Sequence, residues 1–62
     1  TLGLTEHPFP DGRVIVVAVN YMPREGAFEL SVDGEVGHVW RGTFAGNKLK
    51  VGANDAAVFE VK

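Results

Sequence analysis

The stretch RVIVVAVN, from Arg13 to Asn20, decides the fold of this chain. It is a continuous run of mostly β-branched residues, with Asp11–Gly12 before it and Pro23 after it. Such a run is typical of a strand that is buried on both faces, so the sequence predicts a central β-strand. Glycines and prolines divide the rest of the chain into segments of about ten residues or fewer, which are too short for stable helices and typical of strands.

Downstream of this run, two segments alternate between apolar and polar residues. In Ala27–Val32, one face is apolar and the other is polar, as expected for a strand with one buried face. Asp33–Gly34 connects it to Glu35–Arg41, and Asp-Gly between two alternating segments predicts a tight hairpin. The alternation of the second segment places Val36, His38 and Trp40 on one face, and Gly37, Val39 and Arg41 on the other.

The ends of the chain add further strands. Ala45–Gly46–Asn47 predicts a second turn, which leads into Lys48–Val51, and Ala56–Val61 predicts a last strand. Residues 1–10 contain two prolines, which cannot donate to a strand ladder, so this segment is predicted to be an edge strand or an extended arm. No helix is predicted.

Together these segments predict one all-β domain over residues 1–62, folded as a small antiparallel β-sandwich or curled sheet of five to six strands. Trp40 and the four phenylalanines are expected to form most of its core. Because the sequence starts at Thr1 rather than at a methionine, we expect the domain to be part of a longer chain.

Composition argues against several classes of function. The net charge is −2 and the basic residues are scattered, whereas nucleic-acid modules usually carry a basic stripe. There is no apolar run of membrane-spanning length, and there is no cysteine for a disulfide or a thiolate zinc site. Neither a nucleic acid nor a membrane is therefore an expected partner, and no cellular compartment is indicated.

The residues that carry catalysis elsewhere do not form a recognisable motif. Ser31 is the one serine, and neither His7 nor His38 lies in a motif that would orient it towards Ser31. Two histidines without cysteine predict no metal site and no cofactor. A domain of this size also lacks the room to enclose a catalytic cleft. The sequence therefore predicts that this chain is not an enzyme by itself.

Aromatic residues are the remaining candidates for a binding site. Trp40 and Tyr21 would form a platform for stacking on a sugar ring if they shared an exposed face, with Arg41, His38 and Asn20 as hydrogen-bonding neighbours. Tyr21 follows the central strand, so its ring is expected at the rim of the domain. These five residues are the candidate ligand-binding residues.

The order of features resembles the small C-terminal β-sandwich domains of glycoside hydrolases, such as β-galactosidase-like and α-amylase-like enzymes. The likeness covers residues 11–62: DGRVIVVAVNY, then FELSV, then WRG, and finally KLKV, GAND and AAVFEV. It implies a non-catalytic accessory domain and carries over no catalytic residue. It also implies a structural role for Asn20, whose amide would fix the turn after the central strand.

The expected partner is thus the catalytic domain of the same parent chain or another subunit, and a homo-oligomer is also compatible with this expectation. The alternative is a free-standing, weak carbohydrate-binding module that uses its exposed aromatic residues, with a carbohydrate as its partner.

Overall fold

The computed structural model describes residues 2–32 and 34–62, and over these residues it contains seven strands and no helix. The strands are β1 (Leu2–Pro8), β2 (Val14–Asn20), β3 (Gly26–Glu29), β4 (Val36–Arg41), β5 (Thr43–Ala45), β6 (Lys48–Val51) and β7 (Ala56–Val61). One sheet has the order β1-β2-β7-β4 and the other β3-β6-β5, and neighbouring strands are antiparallel. The predicted all-β fold, a small antiparallel β-sandwich or curled sheet, is therefore confirmed.

Strand β2 lies in the middle of the first sheet, between β1 and β7, as the valine-rich run predicted. Val16, Ala18 and Asn20 point into the space between the sheets and are buried. Their neighbours Val17 and Val19 point outward and are only half-buried. The prediction that both faces of this strand are buried was therefore wrong, because the second sheet covers only one of them.

The predicted edge strand is β1, which pairs with β2 along its whole length, from Leu2 opposite Asn20 to Pro8 opposite Val14. Thr1 lies outside the described residues. A tight turn connects the two strands. In it the amide of Phe9 donates to the carbonyl of Arg13 at 2.8 Å.

The predicted hairpin between Ala27–Val32 and Glu35–Arg41 was wrong. Strand β3 pairs with β6 and β4 pairs with β7, so the two segments lie in different sheets. Asp33 lies outside the described residues, and Glu35 exchanges backbone hydrogen bonds with Lys62 (3.3 and 2.9 Å). The turn preference of Asp-Gly is overridden because both strands bury their apolar residues against distant partners. Phe28 lies opposite Leu49 in one sheet, and Val39 lies opposite Phe59 in the other.

Gly42 explains why the structure has seven strands rather than five or six. Its φ of +96° belongs to a region that side-chain-bearing residues avoid, and a Cβ there would lie 2.7 Å from the Cβ of Ala57. The chain bends at this glycine and passes from β4 in the first sheet to β5 in the second. Residues 43–45, for which the sequence predicted no strand, therefore form β5.

Strand β4 does not alternate as predicted. Its register with β7 shifts between Val36 and Val39 and again between Val39 and Arg41. A bulge places two residues opposite one, so side chains after it change face. As a result Val36 and Val39 both pack against the core, whereas Trp40 lies outside it.

The core lies between the two sheets. It consists of Val16, Ala18, Leu49, Val51, Ala57, Phe59 and Val61. Phe59 is fully buried and meets the ring of Phe44 edge-on, with the centroids 4.8 Å apart. Phe28 packs against the same cluster, but Phe9 and Trp40 are 43% and 53% exposed. The expectation that Trp40 and all four phenylalanines form the core was thus wrong for these two residues.

Candidate functional site

The outer side of the four-stranded sheet carries an apolar strip along its two central strands. On its two central strands, the outward side chains are Glu60, which is buried beside Arg13, and five half-buried apolar residues: Ile15, Val17 and Val19 of β2 and Ala56 and Val58 of β7. We call these five residues the valine face. Strand register places Val17 opposite Val58 and Val19 opposite Ala56, whereas Ile15, at one end of the face, lies opposite Glu60.

The outer side of the three-stranded sheet is different. Its outward residues are Ala27, Glu29, Thr43, Ala45, Lys48 and Lys50, all of them exposed. Glu29 lies opposite Lys48, and Thr43 lies opposite Lys50, as on an ordinary solvated strand surface. The two outer surfaces of the domain therefore differ: the first has an apolar strip along its centre, bordered by Thr5 and His7 of β1, whereas the second is polar.

A cleft lies at one end of the valine face. It has a volume of about 250 Å³ and is lined by Phe9, Arg13, Ile15, Trp40 and Val58. The guanidinium carbon of Arg13 lies 5.0 Å from the centroid of the Phe9 ring, within the range of a cation–π contact. His38 meets Trp40 edge-on, with ring centroids 4.7 Å apart. The cleft is thus bounded by two exposed aromatic rings.

Arg13 is held in place by two carboxylates. Its Nε donates to Asp11 at 2.8 Å, and its Nη1 lies 3.6 Å from Glu60, whose side chain is largely buried. The backbone amide and guanidinium of Arg13 hold the pKa of the Asp11 carboxyl below its usual value, and Asp11 in turn raises the pKa of Arg13. The charge of this arginine is therefore balanced within the domain.

Tyr21 lies at the rim, as predicted, and is 64% exposed. Its ring packs over Gly3 of β1, where a Cβ would come within 2.8 Å of a ring carbon. Six residues separate it from Ile15, which lines the Trp40 cleft, and this spans about 20 Å of extended chain. Tyr21 and Trp40 therefore do not form the predicted common platform.

Asn20 is fully buried, and its side chain binds the backbone. Its amide nitrogen lies within hydrogen-bond distance of the carbonyls of Arg24 (3.0 Å), Val51 (3.3 Å) and Gly52 (3.1 Å). Its oxygen accepts from the amide of Met22 at 3.0 Å. Asn20 thus has no accessible group for a ligand, so the structure removes it from the candidate ligand-binding residues. Its bonds to the backbone agree with the turn-fixing role that the resemblance implies.

Arg41 is bound to Asp55 through two hydrogen bonds, of 2.8 and 2.9 Å. This pair raises the pKa of Arg41 and, with the Ala56 amide, lowers the pKa of Asp55. Arg41 therefore has fewer free donors than the sequence suggested. Among the five candidate residues, the rings of Trp40 and His38 are in direct contact. Phe9, which the sequence predicted to lie in the core, lines the same cleft as Trp40.

The described residues contain no group of three or more histidine, cysteine or acidic side chains placed to hold a metal ion. They also contain no helix long and apolar enough to cross a membrane. Comparison of the chain with protein-family models, curated proteins and solved structures finds no match.

Proposed function

We propose that this chain is a non-catalytic interaction domain of a larger carbohydrate-active protein. In this proposal, the valine face packs against the catalytic domain of the same parent chain or against another subunit. The supporting observation is the contrast between the apolar valine face and the polar outer surface of the other sheet. Soluble domains rarely expose large continuous apolar patches unless a partner covers them.

The size of the domain is compatible with this role. A standard protein–protein interface buries about 800 Å² on each partner. The chain exposes 4150 Å² in all, so an interface of that size would cover about one fifth of its surface. One outer sheet face with its flanking aromatic rings is a suitable surface for such an interface.

Two of the eight acidic residues are poorly suited to act as general acids. Asp11 and Asp55 are each paired with an arginine, and the pKa of each carboxyl is lowered. A general acid needs the opposite shift, a pKa raised towards the working pH. These carboxylates are therefore suited to fixing turns and strand ends. The carbohydrate-active nature of the parent protein is inferred from the sequence resemblance alone.

Sedimentation velocity tests this proposal on the chain itself. An uncovered valine face is expected to make the chain self-associate at high concentration, since a second copy is then the available partner. Val17→Lys places a charge in the middle of the face and is expected to abolish the association. Ala27→Lys adds the same charge to the outer surface of the other sheet and is the matched control. A wild-type chain that stays monomeric, or equal effects of the two substitutions, would contradict the proposal.

A second function, weak carbohydrate binding, is supported by the cleft between Trp40 and Phe9. Two exposed rings beside Arg13 and His38 offer both stacking and hydrogen bonding to a sugar. Titration of the intrinsic fluorescence with a panel of oligosaccharides reports on this directly, because Trp40 is the one tryptophan of the chain. A saturable shift that Trp40→Ala removes would favour the binding module, whereas flat titrations favour the packing role.

A further inference from the structure

The sandwich is open along one side, between β1 and the segment 30–32 that follows β3. Leu4 lies on the core side of β1, because it is opposite the fully buried Ala18, yet it is 53% exposed. On the opposite side of the core, β4 continues through Gly42 into β5 and so connects the two sheets. Strands β1 and β3 are edges of their sheets and have no such connection.

A groove runs along this opening and is distinct from the valine face. It consists of two cavities, of about 370 and 360 Å³, whose linings share Glu6, Val16, Ser31 and Val32. Its floor is formed by Val16 and Phe59, and its walls are formed by β1 on one side and by Leu30 and Val32 on the other. An edge strand presents unpaired backbone N–H and C=O groups along its free side, so β1 offers hydrogen bonds to one more strand.

Glu6 makes this groove selective. It lies opposite Val16, so its side chain is on the core side of β1, and it is the one charged residue among the described residues that line the groove. It forms no ion pair with any residue in 2–32 or 34–62. An inward charge on an edge strand, together with Pro8, disfavours pairing with an arbitrary strand. A partner with a positive charge at the matching position removes that penalty.

We infer that the groove between β1 and residues 30–32 binds an extended segment of a partner protein, by strand addition to β1. The groove-facing positions of that segment alternate with solvent-facing ones, as in any strand. They carry apolar side chains that contact Leu4 and Val32, and between these a lysine or arginine that pairs with Glu6. Backbone hydrogen bonds to β1 supply affinity, and the side chains supply specificity.

NMR titration with synthetic peptides tests this inference. The probe is the acetylated, amidated peptide Ser-Val-Thr-Lys-Thr-Val-Ser, which places valine, lysine and valine on one face. Its control has glutamate in place of the lysine. At millimolar concentration the lysine peptide is expected to shift the amide resonances of β1 and residues 30–32. It is also expected to bind about tenfold more tightly than the glutamate peptide.

Two variants assign the preference to Glu6. Glu6→Lys is expected to reverse the preference, so that the glutamate peptide binds better. Glu25 is an exposed acidic residue in a loop, and Glu25→Lys is expected to leave the preference unchanged. Absence of binding by either peptide, equal affinity for both, or shifts confined to the valine face would overturn the inference. So would β1 amide shifts on dilution of the Val17→Lys variant, which would show that β1 pairs with a second copy independently of the valine face.

Discussion

The side chain of Asn20 forms hydrogen bonds with residues 31 and 32 positions further along the chain. It is an amide in a fully buried position, and such groups are costly unless they are hydrogen-bonded. Here it bonds to the loop after β2 and to the end of β6, which lies in the other sheet. One side chain therefore fixes the turn after the central strand and also ties the two sheets together.

Replacing this amide is expected to be costly. Asn20→Ala leaves several buried backbone groups without partners, so we expect the free energy of unfolding to fall by about 3 kcal/mol. Urea denaturation monitored by circular dichroism measures the change. Asn47→Ala, at an exposed turn position, is the control and should cost much less. Equal losses for the two variants would show that the Asn20 bonds do not stabilise the fold.

The ion pair between Arg41 and Asp55 is expected to make stability depend on pH. The pKa of Asp55 is lower in the folded chain than its ordinary value of 3.8. As the pH falls, Asp55 is therefore protonated in the unfolded chain at a higher pH than in the folded chain. The stabilisation from Asp55 is therefore complete above that ordinary value and is lost as the pH falls through the lowered folded pKa.

Urea midpoints of wild type and Asp55→Asn, measured between neutral and strongly acidic pH, test this dependence. The wild type is expected to be the more stable at neutral pH, with a difference that shrinks in acid and at high salt, because the pair is exposed. A difference that stays constant with pH would assign the effect of Asp55→Asn to something other than its charge.

At the scale of elements, sequence patterns predict strands well where local alternation and burial agree. Residues 48–51 and 56–61 form the predicted strands, with Leu49, Val51 and Phe59 buried. The pattern fails in β4, because bulges shift its register and a single sequence does not reveal them. It also fails for the hairpin at Asp33–Gly34, since burial against distant strands decides the pairing there.

The candidate site, like the strands, was predictable from the sequence in part. The contact between His38 and Trp40 follows from their spacing of two along a strand, although their exposure depends on the bulges. Phe9 was missed because its exposure depends on the turn that places it beside Arg13. Strand alternation carries no information about that position.

The corner at Gly42 gives a test of the connection between the sheets. Gly42→Ala combines a strained φ with a close contact to Ala57, so we expect a loss of about 3 kcal/mol. Gly46→Ala is the matched control. It also has a positive φ, but a Cβ there meets nothing within 4 Å, so about 1 kcal/mol is expected. If denaturation shows equal losses, the packing of β4 and β5 at this corner is less restrictive than the structure indicates.

At the scale of the whole molecule, the domain has a small core and two surfaces that suit a partner. The valine face is apolar and outward, and the groove beside β1 leaves one side of the core uncovered. Small domains have little stability to spare, so contacts at these surfaces would add directly to the stability of the folded chain. This is what we expect of a domain that works while attached to something larger.

The central claim is that the valine face is the surface through which this domain packs against its partners. Methyl NMR of the wild-type chain over a range of concentrations tests it most directly, because each valine reports on its own surroundings. The account predicts that the methyl resonances of Val17, Val19 and Val58 shift as the concentration rises, whereas those of the buried Val16 and Val51 do not. Outward valine resonances that stay unchanged while residues of the three-stranded sheet shift would contradict it.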